Sequence, residues 1–272
     1  MNGFAATLMF ALCPAIGLCG EISVGDLASL PAHDVVILGE VHDNTATHVN
    51  QAAAVAGLKP KALVFEMLTP EQAARVTPTN RLSLPELRAV LAWEEGGWPD
   101  FGLYYPIFTA APNAVILGAA LPRDSVRQAV SDGAAAVFGA DAAQYGLDRA
   151  LPADDQALRA QDQMQAHCNA LPQEMLAGMV EAQRLRDAAL ARAAVQGLAL
   201  AGGPVVVITG TGHARRDWGV PAAISAAAPD ISVLAVGQLE SDPGPDAPYD
   251  LWIVTDPAPR EDPCAAFKVN GG

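Results

Sequence analysis

Basic side chains are scarce in this sequence: 16 Lys and Arg face 30 Asp and Glu, for a formal net charge of −14. That balance excludes nucleic acid and anionic membrane surfaces as main partners, because both need a basic footprint. Familiar catalytic signatures are absent as well. There is no GxSxG nucleophile elbow, no GxGxxG or phosphate loop, and no CxxC or HExxH. Gly210-Thr211-Gly212 is a GxG fragment without its third glycine. Cysteine is also rare, at four residues. Charge is missing altogether from residues 1–20, which hold an apolar core at 4–12 followed by Ala15-Ile16-Gly17. That pattern reads as a secretory signal, and its shortness and Pro14 argue against a membrane-spanning helix. The expectation is an exported, periplasmic chain whose leader takes Cys13 with it. Cys168 and Cys264 then read either as one disulfide or as two buried thiols.

Six short apolar runs are present, at 35–38, 62–65, 114–117, 205–209, 231–236 and 251–255. Each is apolar on both faces, as strands covered by helices on both sides must be. Between the first two, the Ala-rich segment 45–57 reads as a helix stopped by Gly57 and Pro60. This rhythm predicts an α/β fold, a mostly parallel sheet flanked by helices. Residues 21–272 read as one domain with helical insertions at about 70–105 and 153–200. Ser83 caps a helix opened by Pro85, and Asp124 to Phe138 reads as another. Met175, Met179, Ala182 and Arg186 share helical spacing in the second insertion and are read as core.

Two of the five histidines stand in matching places. VVILGEVH and VVVITGTGH are both apolar runs entering a glycine, with His42 and His213 three positions after Gly39 and Gly210. In a parallel sheet the C-terminal strand ends share one edge, where ligands bind. The second run, ALVFE, ends there with Glu66. The expectation is one mouth lined by His42, His213, Glu66 and Glu40. Imidazole with carboxylate suits a transition metal, Zn or Mn, and Asp43, Asn44 or Asp217 would orient the ligands. In that reading the chain is a metal-dependent hydrolase, with Glu40 or Glu66 as base. A second theme comes from Tyr104-Tyr105 and Arg215-Arg216: tyrosinate ligates ferric haem, and arginine pairs with haem propionates.

Seven separated segments match a known family: GEVHDN, VFEML, the WP…YYP stretch, GAALPR, HC…LP, AQRLRDAALA and TGTGHARRDWGVP. Together they resemble the ChaN-like haem-binding lipoproteins of the haem-binding uptake/Tiki superfamily, in order from about residue 34 to 264. The resemblance implies an α/β fold with a helical subdomain and an exported or membrane-tethered location. It also implies haem binding linked to iron acquisition, with haem-induced homodimers whose stacked haems are held through tyrosine and histidine. Position by position it carries His42, His213 and Glu66. The tyrosine aligns with Tyr105 or Tyr104. Thr47-His48 stands where relatives read His-His, and Leu18 is a poor residue before a lipid-bearing Cys19. Distant relatives, including the erythromycin esterases, use the same edge for divalent metal or hydrolysis. Haem carrier and metal-dependent hydrolase both stay open at this point.

Overall fold

A computed structural model describes residues 20–262, 264 and 265. The expected leader therefore lies outside the described residues except for Gly20, as do Cys13 and Cys19. Among the described residues seven strands form one sheet: β1 (Gly20–Glu21), β2 (Val35–Glu40), β3 (Ala62–Phe65), β4 (Val115–Gly118), β5 (Val205–Gly210), β6 (Val233–Leu239) and β7 (Leu251–Val254). Their order is β1-β7-β6-β2-β5-β3-β4, and every pairing is parallel. The α/β fold read from the apolar runs is the fold observed. β3 starts and ends where the sequence places it. β6 begins two residues later than its apolar run and extends to Leu239, and β1 carries no apolar run at all.

Alternation along each strand feeds two cores. Val36, Leu38, Leu63, Phe65, Val206 and Ile208 face one side, and Val35, Ile37, Val64, Val205 and Val207 face the other. On the first side lie α1 (Thr45–Leu58), α2 (Pro70–Ala73), α3 (Leu84–Val90) and α4 (Phe101–Ala110). On the second lie α5 (Arg123–Asp132), α6 (Ala134–Phe138), α8 (Leu176–Ala201) and α9 (Val220–Ala227). Local chemistry sets the helix starts. The Asn44 side chain accepts from Ala46 N at α1, and Ser83 accepts from Glu86 N at α3, with Pro85 in the first turn.

The expected 153–200 insertion divides into two parts. α8 is a sheet-covering helix, buried along Val180, Ala188, Leu190 and Ala194. α7 (Ala153–Ala166) has no buried residue and stands outside it. The supposed methionine core stripe fails at its first member, since Met175 is 40% exposed in the turn before α8. Cys168, in the α7–α8 turn, is bridged to Cys264 with Cα atoms 5.4 Å apart, which decides between the two cysteine readings. Among the described residues no helix is long and apolar enough to cross a membrane.

Candidate functional site

β2, β5 and β3 are neighbours, so their C-terminal ends meet. Glu40 pairs in register with Gly210, and Glu66 follows directly on β3, its N–H donating to the Ile208 carbonyl. The two strand-then-GxxH segments are thus adjacent in space, although about 170 residues separate the two histidines in sequence. All four predicted residues, Glu40, His42, Glu66 and His213, line one cleft of about 1300 Å³ at this edge.

Glu40 is buried beneath His42. Its Oε1 accepts from His42 Nδ1 at 2.7 Å and from the Tyr104 hydroxyl at 2.7 Å. His48, from α1, donates Nε2 to the His42 carbonyl at 2.8 Å, which leaves its Nδ1 facing Glu40 Oε2 at 3.6 Å. With Nδ1 held by Glu40, the His42 ring turns Nε2 toward the cleft, and its side chain is 35% exposed. Trp98 packs against the ring at 5.1 Å between centroids. Burial opposes a charge on His42, but its hydrogen bond to Glu40 and the nearby Glu66 raise its pKa above the ordinary imidazole value.

The second centre is a histidine between two carboxylates. His213 Nδ1 meets Asp187 Oδ1 at 2.6 Å, and Nε2 lies 3.5 Å from Glu66 Oε1. Burial disfavours its charge, yet Glu66 first and then Asp187 outweigh that and raise its pKa to about 10. At neutral pH it is an imidazolium with a carboxylate at each nitrogen. Burial alone would raise Glu66, but His213 and then His42, with the Gly210 N–H, hold it below the usual carboxylate range. Asp187 is raised by burial, against the pull of His213. Gln183 Nε2 also lies 3.0 Å from His213 Nδ1.

Gly210 is demanded by space. A Cβ there would sit 2.9 Å from His42 Nε2, too close unless the ring moves. Gly210→Ala should displace the ring, weaken its bond to Glu40 and bring the His42 pKa down toward the ordinary value. Titration of the His42 ring protons by NMR reads this directly, and an unchanged midpoint would contradict it.

The remaining predicted residues separate. Tyr104 is fully buried, and burial followed by the Glu40 charge drives its pKa far above the ordinary phenol value. It is a neutral donor, unsuited to act as a tyrosinate. Tyr105, one position on, points elsewhere and donates to the Arg81 carbonyl at 3.2 Å. Arg215 lines the cleft but is held by Asp217 and Asp162, and Arg216 is exposed and paired with Asp250. Asp43 pairs with Arg260, Asn44 caps α1 and donates to Glu240, and Asp217 serves Arg215, so none of the three orients a histidine. Asp187 did not figure among the residues read from the sequence, and His48 figured there only as the histidine kept where relatives read His-His. Asp187 carries no signal of its own, since Glu181, Arg184, Arg186 and Arg192 share its helix.

The donor set does not fit a bare metal ion. His213 has both nitrogens against carboxylates, Glu40 Oε1 already takes two donors, and Glu66 Oε2 accepts from Thr209 Oγ1 and Gly210 N. Among the described residues no group of three or more His, Cys, Asp and Glu is arranged to hold a metal. Haem is fitted better. The cleft offers one outward imidazole nitrogen backed by a carboxylate, the Trp98 ring beside it, and seven arginines along its walls.

The sequence model of a family described as "Haem-binding uptake, Tiki superfamily, ChaN" matches residues 27–224. Among solved structures, one described as "Cofacial heme binding to ChaN of Campylobacter jejuni" is similar at 19% identity and a TM-score of 0.62, covering 84% of this chain and 89% of that one. The type III effector HopBA1 is similar more loosely, at 14% identity and a TM-score of 0.45, covering 86% of this chain and 92% of that one. No curated protein matches the sequence significantly.

Proposed function

The chain belongs to the haem-binding uptake family of the Tiki superfamily, ChaN, and from that membership we propose that it binds haem in the cleft at the sheet edge, with His42 meeting the iron. The observation that carries this reading is the His42 ring. Its Nδ1 is tied to buried Glu40, which fixes the tautomer and leaves Nε2 with no carboxylate at ion-pair distance, on a side chain that lines the cleft and is 35% exposed. A carboxylate behind a ligating histidine orients the ring and raises its basicity. Tyr104, as a neutral donor to the same Glu40 oxygen, holds that carboxylate in place. Trp98 offers an aromatic face to the macrocycle and keeps water from one side of the imidazole. Bound haem would supply a Lewis-acidic iron and two carboxylates.

The finer reading is an exported carrier in haem or iron uptake. The Cys168–Cys264 disulfide supports an oxidising compartment such as the periplasm. A cofacial pair of haems draws support from the Campylobacter neighbour's description, and a homodimer is proposed from the family resemblance alone. A lipid on Cys19 is proposed from the family resemblance alone.

Titration of purified protein with haemin, followed in the Soret band beside elemental analysis, tests the reading. The wild type should shift the band, His42→Ala should bind at least about tenfold more weakly, and Tyr105→Phe should change nothing. A wild type that leaves the spectrum unaltered while carrying zinc or manganese would overturn it in favour of the hydrolase.

A further inference from the structure

A chain of net charge −14 that lines one cleft with seven of its thirteen arginines has placed them there against its own composition. Most of the seven are already satisfied. Arg184 donates to the carbonyls of Gly146 and Arg149 and pairs with Glu181. Arg215 is held by Asp162 and Asp217, and Arg260 by Asp43 and Glu240. Arg127 pairs with Asp124, and both it and Arg123 stand in solvent at the start of α5, where water suffices.

Two remain, and they differ from the others. Arg159 on α7 and Arg186 on α8 are half-buried, and neither forms an ion pair with an acid among the described residues. In each, Nε is buried with no hydrogen-bond partner. Arg186 donates only to the neutral Gln183 side chain, and Arg159 lies over the Trp218 ring at 5.2 Å. Both line the same cleft as the buried Asp187, from the packed helices α7 and α8; burial raises Asp187 against the pull of His213 first and then of Arg186 and Arg159. They therefore converge on one corner of the cleft wall. A half-buried cation with no carboxylate at hydrogen-bonding distance is costly, and a guanidinium fork matches a carboxylate in two parallel hydrogen bonds.

We propose that Arg159 and Arg186, on the α7–α8 wall, form the carboxylate subsite that takes the porphyrin propionates, and that Arg215 and Arg216 do not. The inference rests on the haem reading above and deepens it.

The test compares haemin with haemin dimethyl ester, in which both propionates are esterified, on the full-length protein by absorbance titration. Arg159→Gln and Arg186→Gln should each weaken haemin about tenfold or more, while ester binding stays within about threefold of wild type. Arg215→Gln and Arg216→Gln should leave both ligands near wild-type affinity. Unchanged haemin affinity in the first two variants overturns the proposal, and so does an equal loss for haemin and ester, which would mean only a damaged wall. A wild type that binds neither ligand defeats the haem reading itself, an outcome distinct from either.

Discussion

Raising the pH from about 6.5 to 10 will lower the folding stability of this protein by an amount on the order of a few kcal/mol, and His213 is the cause. Its ordinary value of 6.5 is raised to about 10 by Glu66 and Asp187, against the effect of burial. A group with a raised folded pKa contributes its full stability below the unfolded value and loses it as pH climbs through the folded one. Glu66 works from the other side. Its depressed pKa contributes above its ordinary 4.5 and is lost in acid, so the pair favours a plateau between about 4.5 and 6.5. Asp187, raised by burial, takes back part of this gain. His213→Gln should cost roughly 3–5 kcal/mol at neutral pH, because it strands buried carboxylates. It should also flatten the slope between pH 6.5 and 10. Chemical denaturation at a series of pH values measures both effects, and a wild-type curve flat above pH 7 would contradict the assignment.

Loss of the disulfide should be comparably severe. The bridge joins residues 96 apart in sequence, and closing a loop of that length is worth up to about 4–5 kcal/mol in the chain-entropy account. Cys264→Ala, or reduction of the wild type, is expected to lower stability by roughly 2–5 kcal/mol and the melting temperature by about 5–15 °C. The loss should concentrate at the α7–α8 turn. There Cys168 and Asn169 both hold left-handed backbone, at φ 60° and 57°, a conformation that asparagine tolerates and cysteine resists. Hydrogen exchange should rise first in that turn and along α7, which buries nothing. Coincident melting curves with and without reductant would show that the bridge constrains little.

The sheet was legible because buried parallel strands have to be written as β-branched runs. Val35, Ala62 and Val205 start strands where the sequence places them. The two-residue β1 was not legible, since no pattern marks two residues at an edge. Within the site, the GxxH pair and Glu66 could be found because each sits at a fixed offset from a strand that announces itself. Asp187 could not, because its partner His213 is 26 residues away and an Asp in a helix has no such marker. Tyr104 and Tyr105 illustrate a different limit. Consecutive residues on a helix point about 100° apart, so naming the one beneath the site required the phase of α4, and Pro106 obscured that a helix was there. The arginines failed for a third reason. Arg215 and Arg216 stood next to a suspected histidine, whereas the unpaired Arg159 and Arg186 emerge only when every competing acid is located.

The order of strands in the sheet bears on partial chains. β5 lies between β2 and β3, so Glu66 receives its hydrogen bonds from Thr209 and Gly210, and Glu40 has its in-register neighbour at Gly210. A proteolytic fragment ending before Val205 would keep His42, Glu66, Arg159 and Arg186 yet lack the central strand that brings β2 and β3 together. Neither half of a nicked chain carries a reduced version of the pocket. A chain truncated before Val205 therefore loses the pocket outright, whereas one nicked just before Val205 keeps its two pieces joined through Cys168–Cys264.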